Sequence, residues 1–218
     1  SVAVYLCPSD AALGRFYVDD EFTGGKRFAK GNYAAYVSPF HGDLQLLYPG
    51  ALISTGQKLS RISDGTSKTV VFSEVRTRDH EQDERGVWAL PWNAASQLSL
   101  DMHHQGVWTA EFLPNLFYAN QAQMPNTLGP NTDILVRCPG GKGVLSEAQV
   151  EGMPCDNWRY SLGLTGYISA APRSSHLGGV NIAYLDGHVT FLLNGVDPFT
   201  MAYLVDIRDT TVVSNVDE

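Results

Sequence analysis

The sequence is poor in charge. Only 17% of its 218 residues are Asp, Glu, Lys or Arg, against about a quarter in an average soluble domain. What charge there is leans acidic, 23 against 15, for a formal charge of -8. A basic surface for phosphate is therefore missing, and no nucleic-acid partner is expected. No run of about 18 apolar residues occurs, so no segment reads as a membrane span. Nor is there a basic, apolar leader, because Ser1-Val2-Ala3-Val4-Tyr5-Leu6 is too short and lacks a cationic flank. Those residues read as a strand with an abrupt start, the expected beginning of a fragment. Three cysteines are too few for a disulfide scaffold, and no Cys-x-x-Cys pair suggests a zinc ribbon. Gly-x-Ser-x-Gly, phosphate-loop and His-Glu-x-x-His patterns are all lacking.

What is there is glycine (21), proline (11) and short β-rich runs. A single domain over 1–218 fits the length. Ser63-Asp64-Gly65-Thr66-Ser67 signals a turn, and the β-branched and aromatic run from Thr69 to Val75 signals a strand after it. Charges of alternating sign crowd Arg76 to Arg85, the pattern of a solvated loop, before Gly86-Val87-Trp88-Ala89-Leu90 resumes as a second strand. From about Pro114 to Tyr160, five prolines and weak periodicity predict a long, ordered, irregular insertion, too rich in Leu, Tyr, Phe and Trp for disorder.

The clearest element is a hairpin. Val180 to Leu185 and His188 to Leu193 flank Asp186-Gly187, which fits a two-residue type I′ turn. That register pairs Tyr184 with Val189, Ile182 with Phe191 and Val180 with Leu193, and places all six on the buried face. Asp197 then caps a helix with Pro198 at its first position, and Met201, Leu204 and Val205 form its apolar stripe. The expected class is α+β, mainly β, with an antiparallel sheet.

Four groups of side chains are candidates for chemistry. His176, Asp186 and His188 could form a metal or acid–base site around the hairpin. The plainer reading gives Asp186 to the turn, leaves His188 exposed, and has His176 bond backbone groups while Gly178-Gly179 permits close chain approach. Asp101 could join His103 or His104, though neighbouring strand histidines face opposite ways. Glu74, Asp79 and Asp83 offer oxygen ligands for calcium, with Asp19-Asp20-Glu21 as a competing cluster; no Asp-x-Asp-x-Asp-Gly loop supports either. Trp92 and Trp158 could stack on sugar rings, although tryptophans serve more often as core or interface anchors.

Several segments carry a resemblance in order along the chain. His176 is followed by nine residues and then Asp186-Gly187. Tyr5-Leu6-Cys7-Pro8-Ser9-Asp10, Asn32-Tyr33-Ala34, and Ile62-Ser63-Asp64-Gly65-Thr66-Ser67-Lys68-Thr69 with Ser73-Glu74 come before it. Together they resemble the bacterial prepilin-like, pseudopilin-like family with the His-x9-Asp-Gly processing-associated motif, domain of unknown function 1559. Lys68 and Ser73 depart from its pattern. The structural motif carried over is His176, Gly178, Gly179, Asn181, Asp186 and Gly187. The resemblance implies a pseudopilin-like globular head, without the N-terminal hydrophobic helix that anchors such proteins in the membrane. It implies a non-enzymatic cell-surface or secretion/pilus-filament subunit of type II secretion or type IV pilin-like character. The expected location is extracellular, cell-surface or periplasmic, among other pilin-like subunits or surface components. The alternative is an extracellular glycan-binding module with a polysaccharide partner. Calcium is the one candidate cofactor, since pseudopilin heads sometimes hold it.

An extracellular head would also let disulfides persist. Cys138 and Cys155 flank a glycine-rich segment, and closing that loop would remove unfolded-chain entropy worth roughly 3 kcal/mol. The expectation is a Cys138–Cys155 bond with Cys7 reduced, and Cys7 paired to either as the alternative.

Overall fold

A computed structural model describes residues 2–104, 117–118, 122–128, 133–140, 146–157 and 168–208. In chain order the strands are β1 (Phe16–Tyr17), β2 (Phe28–Ala29), β3 (Tyr33–Ser38), β4 (Val70–Glu74), β5 (Gln97–Ser99), β6 (His103–His104), β7 (Phe117–Tyr118), β8 (Asp133–Leu135), β9 (Cys155–Asn157), β10 (Gly179–Tyr184) and β11 (Val189–Leu193). The helices are short: α1 (Asp20–Thr23), α2 (Glu147–Val150) and α3 (Pro198–Val205). The fold is α+β and mainly β.

Its centre is a five-stranded sheet in the order β11-β10-β4-β3-β5, antiparallel except where β3 runs parallel to β5. Strand alternation sends Ala34, Tyr36, Val70, Leu98, Val180, Ile182 and Leu192 into the main core. Helix α3 closes over it with Met201, Leu204 and Val205, as its stripe predicts. Asp197 accepts the Thr200 N–H at 2.8 Å, and Pro198 occupies the first helical position.

The hairpin forms, but one residue out of the predicted register. Val180 pairs with Leu192, Ile182 with Thr190 and Ala183 with Val189. Its loop has three residues, Leu185-Asp186-Gly187. The Gly187 N–H bonds Tyr184 O at 2.9 Å, and Gly187 itself sits at φ +93°. This is a type I turn followed by a left-handed glycine, the second most common hairpin solution. The slip reverses the faces of β11. Leu192 is buried, while Val189 (63%), Phe191 (39%) and Leu193 (50%) lie exposed.

Other expectations also change. The first residues form a 3-10 turn at Ala3–Tyr5, not a strand. Gly86 to Leu90 is a series of turns. Gly86 sits at φ +80° against Gly31, where an added Cβ would lie 2.1 Å from the Gly31 carbonyl oxygen, so the chain cannot run on as a strand there.

The largest departure is the charged segment, in which Asp79 and Glu81 stay exposed but the other four Asp, Glu and Arg residues from Arg78 to Arg85 are buried. Arg78, Asp83, Glu84 and Arg85 are all inaccessible. Asp83 accepts from Arg85 Nε (3.1 Å) and Nη2 (3.0 Å) and from Arg78 Nη1 (3.3 Å). Asp133 accepts from Arg173 Nη2 (2.9 Å) and Arg85 Nη1 (3.3 Å), and Arg78 bonds both oxygens of Glu151 at 3.0 and 3.1 Å. Backbone carbonyls of Pro139, Met153 and Thr127 take further guanidinium protons. Alternating charge thus reads here as mutual neutralisation, because each buried guanidinium is given acceptors.

The Cys138–Cys155 disulfide is present, with Cα atoms 5.9 Å apart, and Cys7 is free and buried, as expected from the sequence. Arg85 Nη2 reaches Cys155 Sγ at 3.1 Å, so the bond and the ion lattice brace one region.

Candidate functional site

Glu74, the last residue of β4, lies where the distant sequence segments meet. Tyr33 of β3 stands opposite it. Its carbonyl accepts the Arg173 N–H at 2.8 Å, and its Oε2 accepts the Asn181 N–H at 2.7 Å. The other oxygen, Oε1, lies 3.2 Å from His176 Nε2. That same nitrogen is 3.6 Å from Cys7 Sγ. One ligand atom from each of Cys7, Glu74 and His176 therefore falls within 4.8 Å of the other two.

Each member is held by its neighbours. The Cys7 N–H donates to Asn32 Oδ1 at 2.9 Å. Asn32 Nδ2 donates to Asp10 Oδ2 (2.6 Å) and to Val75 O (3.1 Å), and Asp10 Oδ2 also accepts from Thr77 N and Oγ1. On the other side, Ser174 Oγ accepts the His176 N–H at 3.1 Å and donates to Gly179 O at 2.6 Å. Gly178 takes φ +88°, and a Cβ at Gly179 would lie 2.1 Å from Leu192 O, so the paired glycines let the His176 loop enter the sheet edge. Burial pushes the Cys7 thiol up from its ordinary pKa; the Ser9 backbone opposes this and the Glu74 charge adds to it.

Around this cluster the open face of the sheet is aromatic. Tyr5 stacks on Trp88 at 4.9 Å and Phe72 lies parallel to Trp88 at 6.2 Å. The His176 ring meets Phe191 edge-on at 6.4 Å.

The predicted candidates distribute differently. His176 bonds the Glu74 carboxylate, not backbone alone, and stands apart from Asp186 and His188. Those two pair with each other at 2.6 Å on the exposed hairpin loop, where His188 stacks on Tyr184. Asp186 also accepts the His188 N–H, which with the imidazole holds its carboxyl below the usual range. The Asp186 N–H bonds Thr66 O at 3.1 Å, so the two Asp-Gly turns touch. Asp101 pairs with His41 at 2.7 Å and accepts from Ser169 Oγ at 3.0 Å, while the side chains of His103 and His104 lie outside the described residues. The calcium trio does not assemble: Glu74 serves His176 and Asn181, Asp83 serves two guanidiniums, and Asp79 is exposed. In the competing cluster, Asp19 caps α1 and pairs with Arg137, which also binds Glu21. Trp92 packs edge-on to Tyr17 and Phe22 as an anchor of a small core cluster. Trp158 lies outside the described residues.

Sequence reasoning missed the pairing of Cys7 with His176 and the exposed Trp88. The signal was present, since Cys7, Asn32, Glu74 and His176 each sit in one of the four segments on which the sequence resemblance rests.

A family model described as a protein of unknown function (DUF1559) matches residues 1–198. The chain belongs to this family. No curated protein and no solved structure matches it. Within the matched span, Cys7, Asn32 and His176 come from distant parts of the chain to meet at or beside Glu74.

Proposed function

We propose that the chain is the globular head of a non-enzymatic cell-surface or secretion/pilus-filament subunit of pilin-like character. The observation that carries this reading is the use of the signature side chains on one another. Asp10, Asn32, Glu74 and His176 fasten the N-terminal segment, β3, β4 and the entry to β10 together. The His176 geometry supports the same conclusion. An acid–base relay needs the nucleophile on one imidazole nitrogen and the orienting carboxylate on the other. Here Cys7 and Glu74 share Nε2. Membership of DUF1559 supports the assignment by association, and the apolar strip on edge strand β11 offers a surface for a neighbouring subunit.

Protease treatment and antibody labelling of intact cells making the natural protein test the proposal. Cleavage and labelling before lysis, with crosslinks to pilin-like subunits, are the expected result. A protein protected until the cytoplasm is opened would overturn it.

A second reading, glycan binding, is favoured by one feature: the solvent-facing Tyr5–Trp88 stack, which presents an aromatic face of the kind that packs on sugar rings. Trp88→Ala abolishing binding on a glycan array would favour it. An array without binding by the unaltered chain would eliminate it.

A further inference from the structure

We propose that Cys7, Glu74 and His176 form a binding site for one zinc ion, with water as the fourth ligand. The donor set decides the chemistry. A thiolate and an imidazole beside one carboxylate suit zinc, whereas calcium takes six to eight oxygens. The spacing decides the geometry. With Zn–S near 2.3 Å and Zn–N and Zn–O near 2.0–2.1 Å, a tetrahedral centre separates S from N by about 3.5 Å and N from O by about 3.3 Å. The observed separations are 3.6 Å for Cys7 Sγ to His176 Nε2 and 3.2 Å for His176 Nε2 to Glu74 Oε1.

Both contacts converge on one nitrogen. A single Nε2 proton can satisfy the sulfur or the carboxylate, not both well, while a cation at the centre of the three accepts all of them. The supports are those of a metal site. Glu74 Oε2 is fixed by Asn181 N–H, leaving Oε1 for the ion, and the Cys7 backbone is fixed by Asn32. Cys7 and Glu74 are buried, whereas the His176 side chain is 31% exposed and gives an entry path and room for a water. The ion would join three segments, adding to the hydrogen bonds that already hold them.

The test titrates zinc into the chelator-treated 218-residue chain by calorimetry and records the absorption of the cobalt-loaded form. One equivalent of zinc should bind, raise the thermal midpoint, and be replaceable by cobalt with a thiolate-to-cobalt charge-transfer band. Cys7→Ser and His176→Ala should each weaken binding by at least about 100-fold, since even outer-shell changes cost 10–100-fold. They should also lose the zinc-dependent rise in midpoint. His188→Ala, on the far exposed loop, should bind like the unaltered chain. Metal-free thermal unfolding of each variant separates loss of a ligand from loss of fold. A folded, unaltered chain that takes up no stoichiometric zinc would overturn the proposal. So would a cobalt form without the thiolate band, or a folded Cys7→Ser variant that binds as tightly as before.

Discussion

At Gly179 a single hydrogen atom decides whether the sheet edge closes. A methyl there would meet Leu192 O at 2.1 Å and the Phe191 ring at 2.8 Å, and the first neighbour is backbone that cannot step aside. Gly179→Ala is expected to cost about 1–3 kcal/mol or more by overpacking. At Gly178 the space is open and only the left-handed φ of +88° opposes a side chain, so Gly178→Ala should cost about 1 kcal/mol. Urea unfolding of both variants checks the order; equal losses would contradict it. The same scale explains why the site was half legible. Glycine pairs and Asp-Gly turns announce themselves in sequence, because few residues tolerate those φ values. That Glu74 would receive His176, 102 positions away, is a long-range contact that no local pattern encodes.

Among the elements, the hairpin separates strand identity from strand register. Alternation made β10 and β11 readable, and Asp186-Gly187 marked the turn. Two- and three-residue loops share that dipeptide, however, and differ by one residue in pairing. The observed register is tested directly by truncation on β11. Leu192→Ala should cost about 2–5 kcal/mol as a buried leucine, while Phe191→Ala should cost about 1 kcal/mol or less. The two-residue turn would reverse that order. Helix α3 was legible throughout, because its Asp197 cap, Pro198 start and apolar stripe all act within a few residues. The charged stretch Arg76 to Arg85 was not, since its acceptors Asp133, Glu151 and the backbone carbonyls of Pro139 and Met153 come from remote chain.

Over the whole molecule, buried charge sets the pH response. Burial pushes Glu84 up to about 8, against two backbone N–H bonds from Arg137 (2.7 Å) and Val136 (3.0 Å), and burial also pushes Asp206 up to about 6. Both folded-state values exceed those of the unfolded chain, near 4. Their full contribution is therefore present below pH ~4 and is lost as pH rises through 6 and 8. Stability should fall between pH 5 and 8, and Glu84→Gln should flatten that slope whatever its absolute stability. Denaturant midpoints across that range provide the check; an unchanged slope would contradict the assignment. Reducing Cys138–Cys155 should cost roughly 3 kcal/mol for a loop of this length, measured as the midpoint difference with and without reductant.

Asp10, Asn32, Glu74 and His176, drawn from distant parts of the chain, together fasten this fold. Asn32 tests this most directly, because it is buried, accepts the Cys7 N–H, and donates to Asp10 and Val75 O. Urea unfolding of Asn32→Ala should show a loss of about 2–4 kcal/mol, three hydrogen bonds and two buried partners being broken at once. A loss within about 0.5 kcal/mol of zero, the range of an ordinary surface substitution, would contradict the account.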